Sequence, residues 1–240
     1  MTTRVDRGAK SREDILNAAA AAIAQHGYFG MSMRELARTT GKGLSTFYSH
    51  FKSKEDVLFE LQHNAFETLN HTATQAVASS PAPVTQLLLF IANHVHYVAE
   101  HGDVMRVLIH EASALPARRR AKVRELKERY FATAREVLRG IHAEGCERPG
   151  TGAMTTTLDE RELERTTYNL FGMLNWMYGW YDGERHGSVA EVTRSIHKLV
   201  LCGWVTRCPE RRALEDAERL VALARRPSPL AVLQPGDLHS

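Results

Sequence analysis

The chain has 240 residues, of which 43% are hydrophobic and 25% are charged, and its formal net charge is +3. This length favours a small domain joined to a larger one. No apolar run reaches the length of a membrane span, and Cys146, Cys202 and Cys208 form no CxxC pair. We therefore expect a soluble, cytoplasmic protein with free thiols and no membrane partner. The charge alone does not decide for or against nucleic acid.

An all-α fold is predicted, because helix-forming residues dominate and no segment alternates in the manner of a strand. Residues 1–10 are polar and without periodicity, which predicts a disordered arm. A first helix is expected to begin near Ser11 and to end at His26-Gly27, where glycine permits the left-handed conformation that closes helices.

The next segment predicts a helix-turn-helix unit. Ser32 and Glu35 have the spacing of a capping box, which opens a short helix reaching about Arg38. The glycine-containing turn 39–43 follows, and then a second short helix over 44–50. Two helices of roughly two turns joined in this way are typical of DNA-binding proteins.

Long amphipathic segments fill the rest of the chain, and breaks rich in proline and glycine separate them. The predicted helices lie near 53–78, 83–100, 103–114, 116–143, 159–182, 188–206 and 209–225. The expected organisation is a disordered arm (1–10), a three-helix DNA-binding domain (11–52), a larger effector-binding and dimerisation domain (53–226) and an irregular tail (227–240).

The outer face of the second short helix has the chemistry of a recognition helix. Ser45, Thr46 and Ser49 share one face, with Tyr48 and His50 beside them. Small hydroxyl groups exchange hydrogen bonds with bases and phosphates and let a helix enter the major groove. The surrounding lysines (42, 52 and 54) are suited to phosphates. A solvated surface helix with ordinary charges is the alternative at this point.

The head of the chain resembles the tetracycline-repressor (TetR) family of regulators. The matching strings are ILNAA at 15–19, HGY at 26–28, MRELA at 33–37, Gly41 and TFYSHFKSKE at 46–55. The resemblance implies that Thr46 and Tyr48 contact bases or backbone, that Lys54 contacts a phosphate, and that Ser11 is a weaker phosphate candidate. The family usually has an apolar residue at the position of Lys42 and a serine cap at that of Gly43. The predicted DNA-binding residues are Ser11, Lys42, Ser45, Thr46, Tyr48, Ser49, His50 and Lys54.

The segment 169–181 is crowded with large apolar side chains on more than one face. A helix of this kind needs a second partner besides its own core. In the family, the last two long helices pair with their symmetry mates as a four-helix bundle, which implies a homodimer. The alternative is a deeply buried central helix. The predicted interface residues are Trp176, Trp180, Val192, Ile196 and Leu199.

An effector pocket is expected among the helices over 53–182, with apolar walls and a few polar anchors. The segments 107–113 and 175–181 are similar to a branch of the family that often answers to acyl-CoA thioesters. The basic run Arg118–Arg120 could hold CoA phosphates, although a solvated helix start is the better interpretation. The candidate effector-binding residues are Phe66, Phe90, His94, Tyr97, Met105, Leu108, Tyr130, Phe131 and Asn175.

An enzyme is the rival interpretation, because twelve histidines in a helical protein could indicate a di-iron site. Such a site needs two Glu-x-x-His motifs, and only Glu60 to His63 has that spacing. We therefore expect no catalytic residue, metal or cofactor. The sequence predicts a repressor that binds palindromic operator DNA as a dimer and is released by a small hydrophobic or acyl-CoA-type effector. A helical ligand-binding protein without DNA-binding activity is the other alternative.

Overall fold

A computed structural model describes residues 4–39, 41, 43–143 and 159–204 of the chain. Within these ranges the chain is helical and contains no strand. None of the described helices is both long and apolar enough to cross a membrane. The helices are α1 (Arg4–His26), α2 (Met33–Thr39), α3 (Leu44–His50), α4 (Lys54–Ala78), α5 (Pro83–Glu100), α6 (Gly102–His110), α7 (Ala117–Ala143), α8 (Glu160–Asn175), α9 (Gly183–His186) and α10 (Val189–Trp204).

The first three helices form a small head around a shared apolar core. Ile15 and Ile23 of α1, Leu36 of α2 and Phe47 of α3 are all buried there. The predicted capping box opens α2: the Ser32 amide donates to the Glu35 carboxylate at 2.7 Å, and the Glu35 amide donates to the Ser32 hydroxyl at 3.2 Å. This local signal explains why the start of α2 follows from the sequence.

The start of α1 corrects one prediction. The helix begins at Arg4, whereas the sequence predicted a disordered arm up to residue 10 and a start near Ser11. The segment 4–10 contains arginine, alanine and lysine, which are good helix formers, and no proline that would stop a helix. The potential of Ser11 to cap a helix therefore does not impose a start there.

The remaining helices build a larger body in which α5 is central. This helix packs against α4, α7, α8 and α10, and α4 in turn packs along α7. Seven side chains of α5 are buried, which fits a helix surrounded on several sides. An aromatic core lies where α5, α7 and α8 meet, formed by Phe90, Tyr130, Phe131 and Phe171.

Two body helices end earlier than the sequence predicts. The helix α6 ends at His110, because Glu111 leaves it and contacts the head. The helix α8 ends at Asn175 and continues as a 3-10 turn over Trp176–Gly179. The bulky side chains of 176–181 therefore do not extend one straight helix as far as residue 182. The predicted helix over 209–225 and the predicted tail over 227–240 lie outside the described residues.

Candidate DNA-binding and effector sites

The helix α3 has one anchored face and one open face. Phe47 and the following Phe51 are buried in the head, whereas Ser45, Thr46 and Ser49 are exposed. Tyr48, which the sequence left at the edge of the two faces, has 51% of its surface exposed. The open face therefore consists of hydroxyl groups and one phenol, a set that can both donate and accept hydrogen bonds.

One of these hydroxyl groups is already engaged. Ser49 donates its hydroxyl hydrogen to the carbonyl oxygen of Thr46 at 2.6 Å. Its oxygen can then offer lone pairs only, so donors to DNA on this face would come from Ser45, Thr46 and Tyr48. His50, the last residue of α3, is half-buried. Ser11 lies within α1, and Lys42 lies outside the described residues.

Arg12, which the sequence analysis did not single out, lies on α1 and contacts both α3 and α4. Its guanidinium forms an ion pair with Glu60 of α4 and donates to the carbonyl oxygen of His50 at 3.0 Å. It also lies 4.5 Å from the ring centroid of Phe51. The hydrogen bond that Arg12 donates to Glu60, opposed in part by burial, raises the pKa of Arg12, which therefore stays charged. The end of α3 is thus fixed to both α1 and α4.

Lys54 lies at the start of α4 and contacts the loop between α1 and α2. Its ammonium group donates to the carbonyl oxygens of Tyr28 and Met31, both at 2.8 Å, and lies 4.3 Å from the centre of the Tyr28 ring. An ammonium group has three hydrogens to donate. Only one hydrogen is left for the phosphate contact that the resemblance implies.

Replacing Lys54 by methionine is expected to affect both folding and DNA binding. The two loop carbonyls lose their charged donor, so we expect the free energy of unfolding to fall by about 1–2 kcal/mol. A lost phosphate contact would reduce the slope of log affinity against log salt by about one. Urea titration and salt-dependent fluorescence anisotropy measure these quantities separately. The exposed Lys52 gives the matched control, because Lys52→Met is expected to change only the salt dependence. An unchanged stability of Lys54→Met would contradict the loop contact.

An apolar groove of about 1020 Å³ lies on the outer side of the body, between α8, the 3-10 turn and α10. Trp176 and Leu199 in this groove are 62% and 61% exposed, and Tyr168 is 53% exposed. Large apolar side chains with this exposure are uncommon on a monomer surface, and together they indicate a contact surface. All five predicted interface residues line the groove: Trp176, Trp180, Val192, Ile196 and Leu199.

The candidate effector residues lie inside the body, mostly in its core. Seven of the nine are buried, whereas Tyr97 and Asn175 are half-buried. Phe90, His94, Tyr130 and Phe131 come together around Phe171 of α8. The remaining candidates lie elsewhere on the body helices: Phe66 on α4, Tyr97 on α5, Met105 and Leu108 on α6, and Asn175 at the end of α8.

The central group of these residues is polar as well as aromatic. His94, 1% exposed, has its Nδ1 atom 3.1 Å from the Tyr130 hydroxyl. Burial lowers the pKa of His94 to about 3, so the imidazole is neutral. Burial also raises the pKa values of Tyr97 and Tyr130 well above the usual range, so both phenols keep their hydrogens. This part of the core offers uncharged hydrogen-bonding groups in an apolar setting.

Two groups of polar contacts lie near the junction of the body and the head, and neither was predicted. The Glu111 carboxylate, just after α6, accepts a hydrogen bond from the Tyr28 amide at 3.1 Å, and its carbonyl oxygen accepts one from Gln62 at 3.1 Å. Arg119, near the start of α7, forms ion pairs with Glu55 and Asp56 in the first turn of α4. Burial acts to raise the pKa of Asp56, but hydrogen bonds from Arg119 and Ser53 hold it below its usual range. One arginine of the basic run is therefore a structural contact.

The geometry defines a protein class, and comparison with known proteins identifies the family. The family model for the tetR family of bacterial regulatory proteins matches residues 15–61, and the model for the tetracyclin repressor-like C-terminal domain matches residues 80–204. The fatty acid metabolism regulator protein of Bacillus subtilis is 23% identical over 190 residues, which are 79% of this chain and 93% of the relative.

Solved structures share the fold. A TetR-family regulator from Bordetella parapertussis has a TM-score of 0.72 and 25% identity, covering 80% of this chain and 95% of that one. The structure of AibR in complex with isovaleryl coenzyme A and operator DNA has a TM-score of 0.66 and 21% identity, covering 78% of this chain and 96% of AibR.

The molecule is therefore a helix-turn-helix transcriptional regulator with a larger helical C-terminal domain, rather than an enzyme. The chain belongs to the TetR family. This confirms the all-α fold and the family resemblance that the sequence predicted.

Proposed function

We propose that the protein is a ligand-responsive repressor that binds palindromic operator DNA as a homodimer. The main support for this proposal is the division of α3 into a buried face, formed by Phe47 and the adjoining Phe51, and an exposed hydroxyl face with Tyr48. A solvated helix without a partner does not need this combination of firm anchoring and small outward groups. In this proposal the 11–52 head binds DNA in the cytoplasm, and the 53–226 body binds the effector and dimerises.

The groove between α8 and α10 supports the dimer. Two copies paired through this groove would cover its exposed tryptophans and leucine. Pairing would also place two recognition helices on one DNA duplex, about 34–36 Å apart for successive major grooves. A single short helix contacts too few base pairs to be selective, so operator binding itself favours a dimer.

The effector is proposed to be a small hydrophobic compound or an acyl-CoA thioester that releases the protein from DNA. The aromatic core at α5, α7 and α8 suits an acyl chain, and the Bacillus subtilis relative carries the name of a fatty acid metabolism regulator. Release follows if the effector fits only the arrangement of heads that cannot bind DNA. A change from mostly bound to mostly free DNA requires about 5.5 kcal/mol of differential affinity.

In vitro selection from a random DNA pool tests this function. We expect the protein to enrich inverted half-sites about one helical turn apart, and isovaleryl-CoA or a longer acyl-CoA to release the selected DNA in an anisotropy assay. Enrichment of no sequence would support a ligand-binding protein without DNA-binding activity. Enrichment of single half-sites would contradict the dimer, and release by none of the acyl-CoAs would contradict an acyl-CoA effector.

A further inference from the structure

A cluster of three polar side chains lies at the aromatic core of the body. His94 and its neighbour Asn93 lie on α5, and Tyr130 faces His94 from α7. The ring centroids of Phe90 and Tyr130 are 5.0 Å apart, and that of Phe171 is 6.1 Å from the His94 ring. His94 and Tyr130 are buried among these rings, whereas Asn93 is half-buried.

The hydrogen bond within the cluster determines which nitrogen of His94 carries the hydrogen. A phenol is the stronger acid and an imidazole nitrogen the stronger base, so the Tyr130 hydroxyl donates to Nδ1 of His94 at 3.1 Å. The hydrogen of the neutral imidazole then lies on Nε2. The Asn93 amide acts on the same phenol, because it lowers the pKa that burial raises. The two α5 residues therefore both lie beside one hydroxyl group.

One donor of this cluster has no partner among the described residues. Nε2 of His94 is buried and forms no hydrogen bond there. A buried donor without a partner costs about 1–3 kcal/mol, whereas an apolar side chain in the same place would cost nothing of this kind. Such a donor, inside the part of the core predicted to bind the effector, indicates an acceptor that comes from outside the chain.

We propose that His94 donates a hydrogen bond from Nε2 to the carbonyl oxygen of an uncharged effector, such as a thioester, an ester or a ketone. This inference rests on the proposed function and specifies the chemistry of its effector. A carbonyl oxygen accepts hydrogen bonds and donates none, so it is a suitable partner for an N–H group. A carboxylate would be buried without an opposing charge in this cluster, because the imidazole is neutral, so a free acid is a poor ligand. The stacked rings of Phe131 and Phe171, 3.7 Å apart, provide the apolar surroundings for the chain attached to the carbonyl.

Matched ligands test the role of the carbonyl group. The probes are dodecanoyl-CoA, the S-dodecyl-CoA thioether that lacks the carbonyl oxygen, and dodecanoic acid, each titrated calorimetrically into the full-length protein. We expect the thioester to bind at least tenfold more tightly than the thioether and the acid. His94→Phe is expected to reduce the preference for the thioester to within about twofold, since it removes the donor.

Two further variants distinguish the loss of this site from a general loss of folding. His94→Phe leaves the Tyr130 hydroxyl unpaired, so His94→Phe/Tyr130→Phe supplies a fully apolar version, and cooperative thermal unfolding checks the fold of both. Thr193→Val is the matched control, because Thr193 on α10 is also buried, with a hydroxyl oxygen that has no partner in the described part of the chain, but lies outside the cluster. We expect it to keep the full preference for the thioester.

The outcomes separate this site from the proposed effector class. Equal binding of thioester and thioether, tighter binding of the free acid, or an unchanged preference in His94→Phe would each overturn the site. If no CoA probe binds, the acyl-CoA effector is wrong, and 2-undecanone with undecane then tests the site itself. A preference for the ketone that His94→Phe removes supports the carbonyl site, and equal or absent binding of this pair overturns it.

Discussion

Replacing Trp176 by glutamate is expected to convert the protein from a dimer to a monomer. Trp176 is 62% exposed and lines the groove between α8 and α10 that we propose as the dimer interface. Pairing would bury the new carboxylate against Ile196 and Leu199 without an opposing charge, which costs several kcal/mol. Sedimentation equilibrium measures the change directly. Operator affinity should fall at least a hundredfold, since a monomer contacts one half-site only.

The matched control for this variant is Ile109→Glu. Ile109 is also an exposed large apolar residue of the body, but it lies on α6 outside the groove. We expect Ile109→Glu to remain a dimer with ordinary operator affinity. A dimer that survives in Trp176→Glu would show that the copies pair elsewhere, and the groove would then need another occupant.

The sequence predicted the helix boundaries that depend on neighbouring residues. Ser32 and Glu35 cap α2 as predicted, and the predicted start of α5 at Pro83 agrees with the structure. In both cases neighbouring residues determine the boundary, because a cap or a proline acts within one turn of helix. The same reasoning predicted a start near Ser11, where a cap is possible but does not interrupt α1.

Contacts between distant residues could not be predicted in this way. Arg12 and Glu60 are separated by 48 positions, and Glu111 and the Tyr28 amide by 83. In the sequence, these residues cannot be distinguished from other charged residues on a solvated helix face. Only the packing of α1 against α4 and α6 brings the partners together. The end of α6 was missed for a related reason, since Glu111 leaves its helix to contact the head.

These contacts also show how the body could act on the recognition helix. Arg119 connects α7 to the first turn of α4, and Arg12 connects the second turn of α4, at Glu60, to the carbonyl end of α3. A shift of α4 caused by ligand binding in the core would therefore reach α3 through polar contacts as well as through packing. The distance between the two recognition helices in a dimer is the quantity that such a shift would change.

Replacing Tyr48 by alanine is expected to abolish specific operator binding and leave a folded dimer. Tyr48 is 51% exposed on α3, and no buried contact of the head depends on it, because Phe47 and Phe51 provide the anchoring. Alanine also favours the helix by a few tenths of a kcal/mol compared with tyrosine, so thermal stability should not fall. We expect an operator affinity at least a hundredfold lower in a mobility-shift assay, with binding to random DNA largely retained.

The conservative variant Tyr48→Phe separates the hydroxyl group from the ring. If the hydroxyl contacts a phosphate or a base edge, Tyr48→Phe should lose about tenfold in operator affinity, the value of one hydrogen bond, and keep the remainder. If the ring alone is needed, for contact with a thymine methyl group or a sugar, Tyr48→Phe should bind like the unmodified protein while Tyr48→Ala does not. Operator binding that both variants retain, with sedimentation showing intact dimers, would remove Tyr48 from the recognition surface and leave Ser45 and Thr46 as exposed donors of α3.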